Sequence, residues 1–276
     1  MIFEGLAGAA FLFFPELGVQ MAKERKTPGN ARISAEVIAE LNTGTRESAN
    51  LAEGLAVDCG QLMRAAFPEI PDEECRLLAG GNLTITKRME AGGRILLERL
   101  GLHRLDEIIN HESDTVRGWG CYVIGLAPDL SLTERFELAR PLADDPHFGV
   151  REWVWMPLRS HIAADLKRAI KLLEPWVHEE SKFLRRFATE ATRPCGVWTN
   201  HLTELKAEPR LGLPLLKPLR ADPEKYVQDS VSNWLNDAAK SQPNWVRDLV
   251  DSWADGCDDK NTLRICRRAV RSIREG

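Results

Sequence analysis

The 276-residue chain is 43% hydrophobic and 28% charged, enough apolar material to bury a full core in one elongated domain, and its formal charge is −4. That acidic average speaks against a general nucleic-acid coat protein, although a local basic groove is compatible with it because phosphate affinity depends on where Lys and Arg cluster. The six cysteines (Cys59, Cys75, Cys121, Cys195, Cys257, Cys266) show no Cys-x-x-Cys and no Cys/His clustering, which argues against zinc and against a disulfide framework, and for a reduced cytoplasmic interior.

Residues 5–14 form an apolar run of about the length of a signal-peptide core. No Lys or Arg precedes the run and it is too short to span a bilayer. Met21 then opens a polar segment, MAKERKTPGN, so residues 1–30 are expected to be a disordered or mis-assigned extension and residues 31–276 a single repeat domain. From Ser34 onward the pattern is helical. Leu51, Leu55, Leu62 and Phe67, with Met63 and Ala66 between them, predict one helix, and residues 74–78 and 85–100 predict two more, broken by Pro68, Pro71, Gly80 and Gly81. These first helices fit the repeat poorly, as expected of the end unit of a stack.

A repeat begins at residue 112. Five segments start with an acid (Glu112, Asp145, Glu180, Asp222, Asp259) and follow four or five positions later with an aliphatic anchor (Val116, Val150, Leu184, Val227, Leu263). Arg117, Arg151, Arg185, Gln228 and Arg264 come directly after the anchors, which recur at intervals of 34, 34, 43 and 36 residues. That is the period of a two-helix solenoid unit and far too long for a heptad. The chain therefore reads as all-α, a superhelical solenoid of helical repeats. In the clearest unit, residues 148–161 are the first helix, 164–176 the second, and 178–181 the turn into the next repeat.

Offsets 0, +3 and +4 from the anchors are mostly apolar or small (Val150, Trp153, Val154; Leu184, Phe187, Ala188; Val227, Ser230, Val231), as a packed stripe requires. Offsets +2, +6 and +9 read Glu152, Met156, Arg159; Arg186, Glu190, Arg193; and Asp229, Asn233, Asn236. Stacked repeats bring these rows side by side as an expected surface of carboxylates and guanidinium groups. The 43-residue interval carries about nine extra residues around Thr192-Arg-Pro-Cys-Gly-Val-Trp198, beside that stripe. Insertions in repeat proteins are common places for function.

At these residues a family resemblance emerges. Phe183-Leu-Arg-Arg-Phe-Ala-Thr-Glu-Ala-Thr-Arg-Pro194 with Val197-Trp198, then Asp222-Pro-Glu-Lys-Tyr-Val227 and Asp229-Ser-Val-Ser-Asn-Trp-Leu-Asn-Asp-Ala-Ala-Lys240, resemble the DNA alkylation repair glycosylases of the AlkC and AlkD type, the AlkC branch more closely. The likeness covers about residue 145 to the C-terminus. Cys195 departs from it, standing where the family usually has a second Arg after the Arg-Pro pair. The resemblance implies a fold of HEAT-like repeats and excision of cationic alkylated bases, N3-methyladenine or N3-methylcytosine, from double-stranded DNA, by a monomer without cofactor or metal and without a membrane partner.

It also nominates residues. Glu152, Asp237 and Trp198 are the catalytic candidates: two carboxylates to stabilise a developing oxocarbenium and orient water, and an aromatic face to stack on the lesion. Arg186 and Glu190 match the motif directly, and with Arg159, Arg193, Asn233 and Asn236 from the same stripe they are the DNA-binding candidates. Each has a structural alternative: Glu190 as an ion-pair partner of Arg186 or Arg193, Trp198 as a plug under the insertion, Asp237 as a cap. The basic end of the chain, with Arg264, Arg268 and Arg271, is either a grip on phosphates or a solvated helix whose charges complement its dipole. Lys167, Arg168 and Lys171 are a smaller basic cluster. Trp153 is expected in the core, and Trp155 is a weaker lesion-site candidate. The alternative for the whole chain is a non-catalytic repeat module that binds DNA or another protein.

Overall fold

The computed structural model describes residues 33–79, 83–196 and 199–273, and the extension expected over residues 1–30 lies outside them. Every regular element among the described residues is helical. The chain divides into two compact units, one taking it up to Pro128 together with His147–Val150, the other taking Asp129–Pro146 and everything from Arg151.

The first unit holds α1 (Ala35–Thr43), α2 (Leu51–Ala56), α3 (Cys59–Ala66), α4 (Asp72–Ala79), α5 (Ile85–Leu100), α6 (Leu105–Ile109) and α7 (Asp114–Leu126). The single helix predicted from Leu51 to Phe67 is in fact two. Val57 turns to extended backbone, and the Asp58 side chain accepts from the Gly60 and Gln61 amides, opening α3 with an N-cap that competes successfully with helix continuation. Helix α5 packs closely on α7 because Gly92 and Gly93 lack side chains. A Cβ at Gly92 would lie 2.5 Å from Trp119 Nε1, and one at Gly93 2.4 Å from Tyr122 Cβ.

The second unit begins with α8 (Leu132–Ala143), started by a capping box between Ser131 and Glu134. It takes Arg151–Trp153 from α9 (Phe148–Trp153), followed by α10 (Arg159–Ala164), α11 (Leu166–Leu173) and a 3₁₀ turn at Glu174–His178. Then come α12 (Lys182–Glu190), α13 (Thr203–Ala207), α14 (Leu213–Leu216), α15 (Lys225–Ala239), α16 (Pro243–Ala254) and α17 (Lys260–Ala269). The first helix of the clearest repeat, predicted over residues 148–161, breaks into α9 and α10 at the turns around Pro157, whose ring removes a donor and disfavours helix at Met156. Helix α12 lies against α15, α15 against α17, and α16 packs on both. Leu184, Phe187, Val227, Val231, Trp234, Leu235 and Ile265 form the column between them. Each such buried side chain stabilises by about 1.5–3 kcal/mol, whereas an exposed ion pair contributes about 0–1 kcal/mol; the apolar column therefore holds the stack together.

The repeat noticed in the sequence has a structural counterpart. Val116, Val150, Leu184 and Val227 are buried, while the fifth anchor, Leu263, is half-buried and Ile265 takes the core position. The side chain after each of the first four anchors folds back onto the turn that precedes its helix. Arg117 Nη1 donates to the carbonyls of His111 (2.8 Å) and Glu112 (2.9 Å), Arg151 Nη1 to Asp145 (2.6 Å) and Pro146 (2.8 Å), and Arg185 Nη1 to Glu179 (2.9 Å) and Glu180 (2.7 Å). Gln228 Nε2 does the same to Asp222 O at 2.7 Å. Arg185 also grips the next repeat's leading acid, Asp222, through Nε (2.7 Å) and Nη2 (3.2 Å). Arg264 departs from the pattern and reaches back to Gln228 Oε1 (3.1 Å) and Asp229 Oδ1 (2.6 Å).

Candidate functional site

A chain of alternating charges runs through the second unit. Arg186 and Glu190 stand four residues apart on α12, hence on one face. Arg186 Nη2 donates to Glu152 Oε1 at 2.7 Å and lies 3.5 Å from Glu190 Oε2. Glu152 Oε2 accepts from Trp155 Nε1 at 3.3 Å. Arg193, just past the end of α12, donates from Nη1 to Glu190 Oε1 at 2.7 Å and from Nε to Asp237 Oδ2 at 2.9 Å. Asp237, near the end of α15, holds Lys240 Nζ on its other oxygen at 2.8 Å. Ser230 Oγ donates to Glu190 Oε2 at 2.7 Å, Thr189 Oγ1 lies 2.8 Å from Ser230 Oγ, and the Arg186 guanidinium sits 4.3 Å from the Tyr226 ring centre.

The stripe expected as an open surface is therefore largely interior: Glu152, Arg186 and Glu190 are buried, as are Arg159, Asn233, Asn236 and Asp237. The physical reason is that Glu152, Arg186, Glu190 and Asp237 each find a partner of opposite sign, which offsets their desolvation, while Arg159 is met by main-chain carbonyls.

Burial and pairing act on the two glutamates with opposite outcomes. Burial pushes the Glu152 carboxyl above its ordinary range; Arg186 opposes that rise and the nearby Glu190 charge adds to it. Burial also pushes Glu190 upward, but Arg193 and Arg186, with hydrogen bonds from Arg193 and Ser230, outweigh it and hold Glu190 down at about 2. Two carboxylates sharing one guanidinium are thus driven apart, Glu190 downward and Glu152 upward.

The remaining predicted residues fall in three places. Arg159 is buried and donates to main-chain carbonyls of Ala191 (3.1 Å), Arg193 (2.9 Å) and Asn200 (3.0 and 2.9 Å), and burial draws its guanidinium down to about 10. It ties down both ends of the insertion; Trp198 itself lies outside the described residues. Asn233, Asn236, Arg264, Arg268 and Arg271 join α15 to α17. Arg271 Nη2 donates to Asn233 Oδ1 (2.6 Å), Asn236 Nδ2 to Ala269 O (3.0 Å) and Ser272 Oγ (2.6 Å), and Arg264 and Arg268 both reach Asp229 Oδ1 (2.6 and 3.1 Å). Lys167, Arg168 and Lys171 are exposed on α11.

Trp155, not Trp153, is the more buried tryptophan of its pair and the one that touches Glu152. Sequence reasoning also passed over Lys240, Thr189 and the polar role of Ser230. Ser230 occupies the +3 position filled by Trp153 and Phe187 in neighbouring repeats, so a small hydroxyl in an apolar row was the available signal. Among the described residues no group of three or more His, Cys, Asp or Glu side chains is placed to hold a metal ion. No helix among them is long and apolar enough to cross a membrane.

Residues 149–271, which hold nearly all of this network, match the family described as DNA alkylation repair enzyme. A segment of 96 residues is 34% identical to the uncharacterized protein YhaZ of Bacillus subtilis, covering 35% of this chain and 27% of that one. In structure, the chain is similar to the Pseudomonas fluorescens alkylpurine DNA glycosylase AlkC bound to DNA containing an abasic site analog, with a TM-score of 0.63, 22% identity, and coverage of 87% of this chain and 62% of that one. It is also similar to AlkD2 from Streptococcus mutans, with a TM-score of 0.58, 21% identity, and coverage of 74% and 98%. The structural likenesses establish the all-α fold of HEAT-like repeats, and the chain spans less than two thirds of the length of YhaZ and of that AlkC chain. AlkC-type and AlkD-type structures both match, so the likeness of fold does not single out one branch. The match to the family of DNA alkylation repair enzymes is thus carried by residues 149–271, and the likeness to AlkC and AlkD2 is one of fold.

Proposed function

We propose that the protein is a DNA glycosylase that releases cationic N-alkylated bases, N3-methyladenine or N3-methylcytosine, by hydrolysis of the N-glycosidic bond. The observation that carries the reading is the divided pair of glutamates across Arg186. A methylated base with a positive charge is already a good leaving group, so little acid catalysis is needed. The sugar it leaves develops positive charge, and a carboxylate beside that charge stabilises it and orients or deprotonates the attacking water. Glu152 is the residue for that work, because its raised proton affinity makes it the stronger base of the two. Glu190 serves as the fixed counter-ion that keeps Arg186 and Arg193 in place, and Asp237 is a second carboxylate for the cationic base. The family resemblance adds Trp198 as a stacking face.

A second reading, a non-catalytic DNA-binding module, draws on one observation. Both Asp237 oxygens are occupied by Arg193 and Lys240, and Arg264 and Arg268 are paired within the chain. The two readings separate by measuring free base released from methylated duplex DNA alongside DNA affinity. Glu152→Gln is expected to abolish release while changing affinity little. Release that survives in the variant removes Glu152 from the mechanism, and DNA binding by the wild type without release favours the second reading.

A further inference from the structure

The charge chain that ends at Asp237 has one member in solvent. The side chains of Arg186, Glu190 and Asp237 are 2%, 3% and 4% exposed and that of Arg193 15%, whereas Lys240 is 53% exposed. Lys240 and Asp237 form a pair three residues apart at the C-terminal end of α15. Only the lysine side of the pair is exposed, and because Arg193 remains on the other oxygen of Asp237, giving up the lysine does not leave the buried carboxylate unpaired. A DNA phosphate, by contrast, gains from displacing condensed counterions with a protein cation. The helix end favours a cation whether or not Asp237 holds it, so the ammonium stays near its place when it changes partner. Asp237 stays in place too, because Arg193 Nε keeps its Oδ2 at 2.9 Å. Burial pushes the half-buried Cys195 thiol up, the Asp237 charge adds to that rise while Lys240 and Lys206 oppose it, and the thiol donates to Asp237 O at 3.9 Å.

We infer that Lys240 is a positioning residue that exchanges partners, passing from Asp237 to a phosphate of bound DNA and so opening Asp237 Oδ1 to a cationic base. The inference rests on the glycosylase reading and deepens it. In the free protein Lys240 neutralises a buried carboxylate. In the complex the phosphate takes the lysine and the alkylated base takes the carboxylate, so every charge keeps a partner. An undamaged, neutral base offers Asp237 no such compensation, which makes the exchange a source of discrimination as well as of affinity.

The test uses the full chain, a methylated duplex and the variants Lys240→Gln and Lys240→Arg. Lys240→Gln is expected to make the slope of log affinity against log salt shallower by about 1, the signature of one lost phosphate contact. The loss in kcat/KM is expected to fall on KM, and Lys240→Arg to restore both quantities. A lysine that merely braces Asp237 would leave the salt slope where it was. An unchanged slope in Lys240→Gln, with base release by the wild type intact, overturns the inference alone. Absence of salt-sensitive DNA binding in the wild type overturns the DNA reading beneath it.

Discussion

At the scale of single residues, Glu152 and Glu190 make opposite contributions to stability. Glu190 is held down at about 2 against an ordinary 4.5. Its contribution is therefore fully present above 4.5 and is lost as pH falls toward 2. Glu152 is raised, so its folded form binds the proton more tightly, and its contribution falls as pH rises from 4.5 through the folded value. Glu190→Gln is expected to destabilise by about 3–5 kcal/mol, because it strips the shared partner from the buried guanidinium of Arg186 and the part-buried one of Arg193, and to flatten the acid limb of the stability profile. Glu152→Gln, which mimics the protonated form, is expected to cost far less. Denaturant unfolding across pH checks both, and equal losses in the two variants would contradict the assignment of roles. The sequence showed that Arg186, Glu190 and Arg193 share a face, since spacing alone gives that. It did not show their burial. That depends on which opposing charge the adjacent helix supplies, and Glu152 and Asp237 are 34 and 44 residues away from their partners Arg186 and Arg193.

At the scale of elements, the residue after each anchor locks a helix to the turn before it. Arg185 makes two carbonyl contacts and a two-point grip on Asp222, while Gln228 in the following repeat manages with one carbonyl. Arg185→Ala is expected to cost about 1.5–3 kcal/mol, the range for hydrogen bonds to a charged group. Arg185→Gln should recover part of that loss, because Gln228 shows that an amide reaches the same kind of acceptor. A double-mutant cycle between Arg185 and Asp222 is expected to give a coupling of about 0.5–3 kcal/mol; additivity would show the pair to be idle. The acid, anchor and Arg spacing was legible in the sequence because this device is local. The break at Pro157 and the split at Asp58 were harder to read, since in each a single residue overrides an otherwise continuous helical pattern.

At the scale of the whole molecule, the helical-repeat class was legible because intervals of 34 to 43 residues admit few other architectures. The basic C-terminal stripe shows how charge read from sequence differs from charge available to a partner. Arg264 and Arg268 are engaged by Asp229, and Arg271 donates to Asn233. Under the proposed glycosylase reading, a chain with formal charge −4 would draw its DNA affinity from a few local cations, Lys240 among them, and the salt slope would be correspondingly shallow. The claim on which the account turns is that Glu152, with its raised proton affinity, acts on the glycosidic bond. Single-turnover release of N3-methyladenine from duplex DNA, followed from acidic to mildly alkaline pH for wild type and Glu152→Gln, tests it most directly. The wild-type rate is expected to climb with an inflection above the ordinary 4.5 of a glutamate, and the variant to stay at the spontaneous rate without one. Equal rates for the two proteins at every pH would contradict it.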